Sequence, residues 1–113
     1  MAQIYQGTSG YLDCNVWGAD LTGVQSCVVS IDCGQIYNFD LTRLSIAYDP
    51  EAVSADHITG MSAVVLHLRQ TETLALRNAT GSVQVRWKDA SGENGITDIV
   101  DVDIGKAIYK GVL

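Results

Sequence analysis

Hydrophobic residues recur at every second position over most of this chain. Val83, Val85 and Trp87 alternate with Gln84, Arg86 and Lys88. After a turn-rich stretch from Asp89 to Gly95, Val100, Val102 and Ile104 alternate with Asp101 and Asp103. Period two with one apolar face is the signature of a half-buried strand. The segment Gly81 to Ile104 is therefore predicted to form a β-hairpin, with Arg86 and Lys88 facing Asp101 and Asp103 across the strands.

The same alternation predicts further strands. Ile4 and Tyr5 mark one over Ala2 to Thr8, ended by Gly7-Thr8-Ser9-Gly10. Leu12, Cys14 and Val16 alternate through Tyr11 to Trp17, and Cys27, Val29 and Ile31 through Val24 to Asp32. A tight turn at Cys33-Gly34-Gln35 separates that strand from Gln35 to Asp40, and Leu44, Ile46 and Tyr48 mark another. Pro50 lacks a backbone donor, so Asp49 to Asp56 is expected to be loop. Met61 to Arg69 is apolar on both faces, as in a central strand buried between layers. Gln70 to Leu76 breaks the alternation and predicts a single helical turn capped by Thr71, with Leu74 and Leu76 toward the core. Lys106 to Leu113 is expected either to add an edge strand or to lie on a neighbour. Short strands with frequent turn signals and no long 3.6-residue period predict an all-β fold. The expected architecture is a single-domain antiparallel β-sandwich over residues 1–113, with at most one or two short helical turns.

Composition narrows the partners. Seven basic against thirteen acidic residues give a net charge of −6, with no basic stripe to follow a phosphate backbone or an anionic membrane surface. Neither nucleic acid nor membrane is an expected partner, and the longest strictly apolar run, Ala63 to Leu66, is far too short for a span. Met1 to Gly10 has no basic start and no apolar stretch, so synthesis in a cytoplasm is expected. Cys14, Cys27 and Cys33 lack the paired spacing of a zinc site and are expected to be reduced, half-buried small apolar residues. A Cys27–Cys33 bond across neighbouring strands is the alternative.

Side chains capable of chemistry are present but scattered. Asp89, Ser91, Glu93 and Asp98 surround the hairpin loop without the ligand spacing of a calcium loop. Asp56-His57 and His67 have Ser54 and Ser62 as the nearest nucleophiles, with no nucleophile elbow around either. Asp101 and Asp103 share a strand face, where pairing with Arg86 and Lys88 is the simpler use. Asn78-Ala79-Thr80 fits a glycosylation sequon that matters only in a secreted chain. Seven tyrosines and tryptophans in all, Trp17 among them, could line a sugar-binding surface or pack in core and interface. No catalytic residue, metal ligand or cofactor site is expected, and a small-molecule partner is not.

Four phrases in order carry a resemblance. They are Ile4-Tyr5-Gln6-Gly7-Thr8, then Leu68-Arg69-Gln70-Thr71-Glu72-Thr73-Leu74, then Val83 to Arg86, and finally Ile104-Gly105-Lys106-Ala107-Ile108-Tyr109-Lys110-Gly111-Val112. In this order and spacing the chain resembles small structural proteins encoded by phages and prophages of Gram-positive bacteria. The first half departs most, at Asp13-Cys14-Asn15 and at Asp49 to Asp56. The resemblance implies a virion component with an immunoglobulin-like or upper-baseplate-type sandwich, acting in repeated copies or as a homo-oligomer on other virion proteins.

The functional expectation is a non-enzymatic structural or assembly protein of a phage or phage-tail-like particle, at its tail, baseplate or neck. A capsid decoration protein or a glycan-binding surface module is the alternative. Exposed sheet edges and terminal segments would make the contacts. Ile4 and Tyr5 from Ala2 to Gly7, and Lys106, Ile108, Tyr109 and Val112 from the tail, are the expected contact residues.

Overall fold

The computed structural model describes residues 2–77 and 79–113; Asn78 of the sequon lies outside them. Among the described residues, nine strands and one short helix follow in chain order: β1 Ala2–Tyr5, β2 Gly10–Trp17, β3 Ser26–Asp32, β4 Ile36–Phe39, β5 Leu44–Val53, β6 Thr59–Leu68, α1 Gln70–Ala75, β7 Thr80–Lys88, β8 Asn94–Ile96 and β9 Val100–Gly105. A single 3-10 turn, Leu41–Arg43, links β4 to β5. One sheet runs β1-β9-β7-β3-β4 with β8 also on β7, and the other runs β2-β6-β5. The all-β sandwich expected from the alternation is the fold.

The strand order is immunoglobulin-like. β2, β6 and β5 take the places of strands B, E and D, while β4, β3, β7 and β9 take those of C′, C, F and G. The first strand departs from the constant-type arrangement, in which it lies on the B strand. Here β1 joins β9 in parallel, Ala2 opposite Val102 and Tyr5 opposite Gly105, which makes that sheet mixed. Between the sheets, Leu12 and Val16 of β2 and Val64, Leu66 and Leu68 of β6 meet Val29, Ile31, Val83, Val85, Val102 and Ile104, all buried. Leu21, in the loop between β2 and β3, is fully inside this core.

The Gly81 to Ile104 hairpin exists in a different register from the one expected. Arg86 pairs with Ile96 and Lys88 with Asn94, whereas Val83 pairs with Val100 and Ser82 with Asp101. Between those two sets, Gln84 and Val85 stand opposite Thr97, Asp98 and Ile99, so one extra residue bulges the returning strand. Thr97 anchors the bulge: its N–H donates to the Val85 carbonyl at 2.9 Å, and its Oγ1 accepts the Val85 N–H at 3.0 Å. Arg86 and Lys88 therefore never face Asp101 and Asp103. Asp103 instead accepts a hydrogen bond from Thr80 Oγ1 at 3.2 Å.

Three other expectations are corrected. β5 continues through Pro50 to Val53, with an irregularity between Asp49 and Val53; β5 is an edge strand, where a residue without an N–H forfeits no ladder bond. β6 is central in its sheet but covered on one face only, for Met61, Ala63 and Val65 are half-buried and His67 is exposed. The helix is capped at Arg69 rather than Thr71: Glu72 Oε1 reaches back to accept the Arg69 N–H at 2.8 Å. Leu76 is buried and Leu74 half-buried beneath it.

Candidate functional site

The end of the sandwich formed by β1, the β9 terminus, α1 and the tail is built around a buried glutamine. Gln6 is 7% exposed. Its Nε2 donates to the Leu76 carbonyl at 2.6 Å, and its Oε1 accepts the Ala107 N–H at 3.1 Å and a hydrogen bond from Lys110 Nζ. Thr73 is the second anchor. Its hydroxyl donates to the Thr8 carbonyl at 2.7 Å and accepts the Gly7 N–H at 3.1 Å. Gly7 has φ +82°, a left-handed turn that an L side chain adopts only with strain. Gln70 completes the set, donating to the Gly7 carbonyl and accepting the Leu113 N–H, each at 3.1 Å. Every one of these polar groups has a partner, as buried amides and hydroxyls must.

This framework holds the 106–113 tail against the body without making it a strand; no element follows Gly105. The backbone is tethered while the side chains face outward. Ile108 and Leu113 are each 95% exposed, and Tyr109, Val112 and Tyr5 are also exposed. Tyr5 lies over Gly105, where an added Cβ would come 2.5 Å from the Tyr5 ring, so a larger residue there would displace the tyrosine. Of the expected contact residues, Tyr5, Lys106, Ile108, Tyr109 and Val112 all reach the surface here. Ile4 does not. Alternation in β1 turns it inward, 7% exposed, into the core. Gln6 and Thr73, which organise the surface, look in sequence like ordinary polar residues of a short strand and a helical turn, and nothing local marks them.

The scattered chemical groups occupy structural positions. Ser62 is fully buried, donating to the Ala19 carbonyl at 2.6 Å and accepting the Leu21 N–H at 2.9 Å. Ser54 Oγ accepts the Ile58 N–H at 3.0 Å and closes the β5–β6 turn, where His57 has φ +61°. His67 packs against Tyr11 on the outer sheet face, ring centroids 4.9 Å apart and planes tilted by 42°. Asp89 spends its carboxylate on the hairpin loop, accepting from the Ser91 and Glu93 amides, each at 2.9 Å, and from Ser91 Oγ at 2.7 Å. Those bonds, Ser91's first, hold its carboxyl below the ordinary range. Among the described residues, no group of three or more His, Cys, Asp or Glu side chains converges as a metal site would require. Nor is any helix among them long and apolar enough to cross a membrane.

All three cysteines are free. Cys27 lies near the start of β3 and Cys33 just past its end, so the extended strand between them holds them roughly 20 Å apart, far beyond the ~4.4–6.8 Å Cα separation of a disulfide. Burial, then Asp13 and Cys27, push the Cys14 thiol up to about 11, so it is protonated and a poor nucleophile at neutral pH.

Of the concavities away from the tail, one opens into the core while another, of about 330 Å³, is a shallow hollow on β3 and β7 lined by Ser26, Ser30, Arg86 and Lys88. A cleft of about 290 Å³ opens on the flank between the two sheets, lined chiefly by Leu12, Cys14, Val83, Val85 and Val100, with Asp13 and Asp101 at its lips. Thr97 of the bulge is among its lining residues.

No family model matches this chain, and no curated protein matches it significantly.

Proposed function

We propose that this protein is a non-enzymatic assembly module that binds other proteins through the Tyr5–tail end of its sandwich, as a structural component of a phage or phage-tail-like particle. The observation that carries the binding role is the pairing of a tethered backbone with outward apolar side chains. Ile108, Tyr109, Val112 and Leu113 are exposed while Ala107, Lys110 and Leu113 are each hydrogen-bonded to a glutamine of the body. A segment already ordered loses less entropy on docking, so its apolar area converts more fully into affinity. The virion setting draws on the four sequence phrases that resemble phage structural proteins, the last of which is this tail. Repeated copies on a symmetric particle would sum modest contacts by avidity. The glycan-binding alternative draws on Trp17, 37% exposed on the outer face of the β2-β6-β5 sheet, and a glycan array without binders would remove it. Deletion of 106–113 tests the leading reading: incorporation into particles should be lost, and incorporation at the normal level would refute it.

A further inference from the structure

The outer face of the larger sheet is divided by charge about a neutral middle. Turned outward by alternation with the buried Val83 and Val85, the side chains of β7 run Lys88, Arg86, Gln84, Ser82, Thr80. Gln84 stands level with Ser30 of β3 and Asn38 of β4, an uncharged row. Two and four residues to one side lie Arg86 and Lys88, both exposed, and neither has an ion-pair partner among the described residues. On the other side, at the same two distances, the carboxylates gather. Asp32 and Asp101 flank Ser82 on its two neighbouring strands, and Asp103 stands beside Thr80. Charges opposing these ends lie off the sheet face, Glu93 in the hairpin loop and Arg77 over Gly34. Shape divides the face the same way. β4 stops at Phe39, short of the Val28 row, and the small side chains of Ser26, Val28 and Ser30 leave the hollow of about 330 Å³ beside Arg86 and Lys88. At the acidic end Ile36, level with Asp32, projects 61% exposed.

We propose that this face binds the same face of a second copy, about a two-fold axis that lies in the interface and crosses the strands along the Gln84–Ser30–Asn38 row. Such an axis lays each row of one copy on the row equally far to the other side in its neighbour. Arg86 then meets the Ser82 row between Asp32 and Asp101, and Lys88 meets Asp103. Ile36 comes down on the hollow beside Val28. Each of these contacts occurs twice. An anionic partner of another kind would answer Arg86 and Lys88 but leave three carboxylates facing it. A second copy answers both ends, at the spacing the strands set. Packed sheets lie about 10 Å apart, a gap that arginine and lysine side chains reach across. A face five strands wide and about seven residues long spans roughly 20 by 23 Å. Pairing two such faces removes roughly 1,000 Å² from water, the low end for a specific contact. The dimer is therefore weak, and its charges set register and partner more than affinity. This surface is separate from the tail, and the pairing does not depend on it.

Sedimentation equilibrium on the full chain up to roughly 1 mM, the range for a weak contact, reads the outcome. The unmodified protein should dimerise with rising concentration. Arg86→Glu with Lys88→Glu, and Asp101→Lys with Asp103→Lys, should each stay monomeric alone. Mixed one to one they should recover as a heterodimer, because each reversed end then meets a reversed end of opposite sign. Ser30 lies on the axis and meets its own counterpart, so Ser30→Glu and Ser30→Lys should both weaken dimerisation. Ile108→Ser with Tyr109→Ser should leave it unchanged. A monomeric unmodified chain overturns the proposal, and so does a mixture that fails to recover. Stronger association with one sign of charge at Ser30 would put that residue opposite a charged surface and rule out the two-fold axis. Loss of association in the tail variant would assign the contact to the tail, supporting that segment's role while removing the pairing of faces.

Discussion

The side-chain amide of Gln6 accepts the backbone N–H of Ala107 at 3.1 Å, joining the turn after the first strand to the tail after the last, 101 residues away. Because the same amide donates to the Leu76 carbonyl, it ties the tail to the loop that follows the helix. Gln6→Leu keeps side-chain size but strands the Leu76 carbonyl and frees the tail. It should cost about 1–3 kcal/mol in urea unfolding, the cost of leaving a buried polar group unpaired. Amide exchange at Ala107 should accelerate well beyond that of Val102 in the sheet. Unchanged exchange at Ala107 would mean that the tail is held by something other than Gln6.

Acid should weaken the junction between the 3-10 turn and the helix. Arg43 donates to both carboxylate oxygens of Glu72 at 2.7 Å, and Glu72 also accepts the Arg69 N–H. The Arg43 hydrogen bonds, chiefly, hold the Glu72 carboxyl below its ordinary 4.5. A group whose folded value is depressed stabilises fully above its unfolded value and loses that contribution as pH falls through the folded one. Stability should hold from neutrality to about pH 5 and decline below 4.5. Glu72→Gln should cost about 1 kcal/mol at neutral pH, discounted for partial exposure, and flatten the decline. Asp20 and Asp89, lowered by their bonds to Thr22 and Ser91, leave a residual slope in the variant. Equal acid slopes in both proteins would exclude Glu72 as a contributor.

The bulge at Thr97 sets the hairpin register and lines the flank cleft. Thr97→Val removes the oxygen that accepts the Val85 N–H and should destabilise by about 1–2 kcal/mol, with Thr97→Ser close to neutral. A valine variant as stable as the serine one would show that this hydroxyl does not hold the bulge.

Sequence made the strands legible where one face is buried and the other wet. Leu12 to Val16, Cys27 to Ile31 and Val83 to Trp87 carry that alternation unambiguously, and the sandwich follows from it. Register was not legible, since one inserted residue among Thr97, Asp98 and Ile99 moves Arg86 and Lys88 away from Asp101 and Asp103 without altering either pattern. Pro50 misled because a proline excludes a central strand but not an edge, and edge position is a tertiary property. At the candidate site, the tail's apolar residues read equally as an edge strand or a contact segment, and the structure leaves it exposed without forming a strand. The inward turn of Ile4 depended on a parallel pairing with β9, nearly 100 residues downstream, and the roles of Gln6 and Thr73 on contacts equally remote. Which sheet β1 joins is a choice that no local pattern encodes.

The central claim, that the tail end of the sandwich meets other proteins, is tested most directly by photo-crosslinking in assembled particles. A crosslinking amino acid placed at Tyr109, 68% exposed, is compared with one at Ile58, 44% exposed in the turn at the far end of β6. Irradiation should join the chain to another protein chain from position 109 and leave position 58 uncoupled. Equal coupling from both positions, or none from 109 in a particle that contains the protein, would contradict the account.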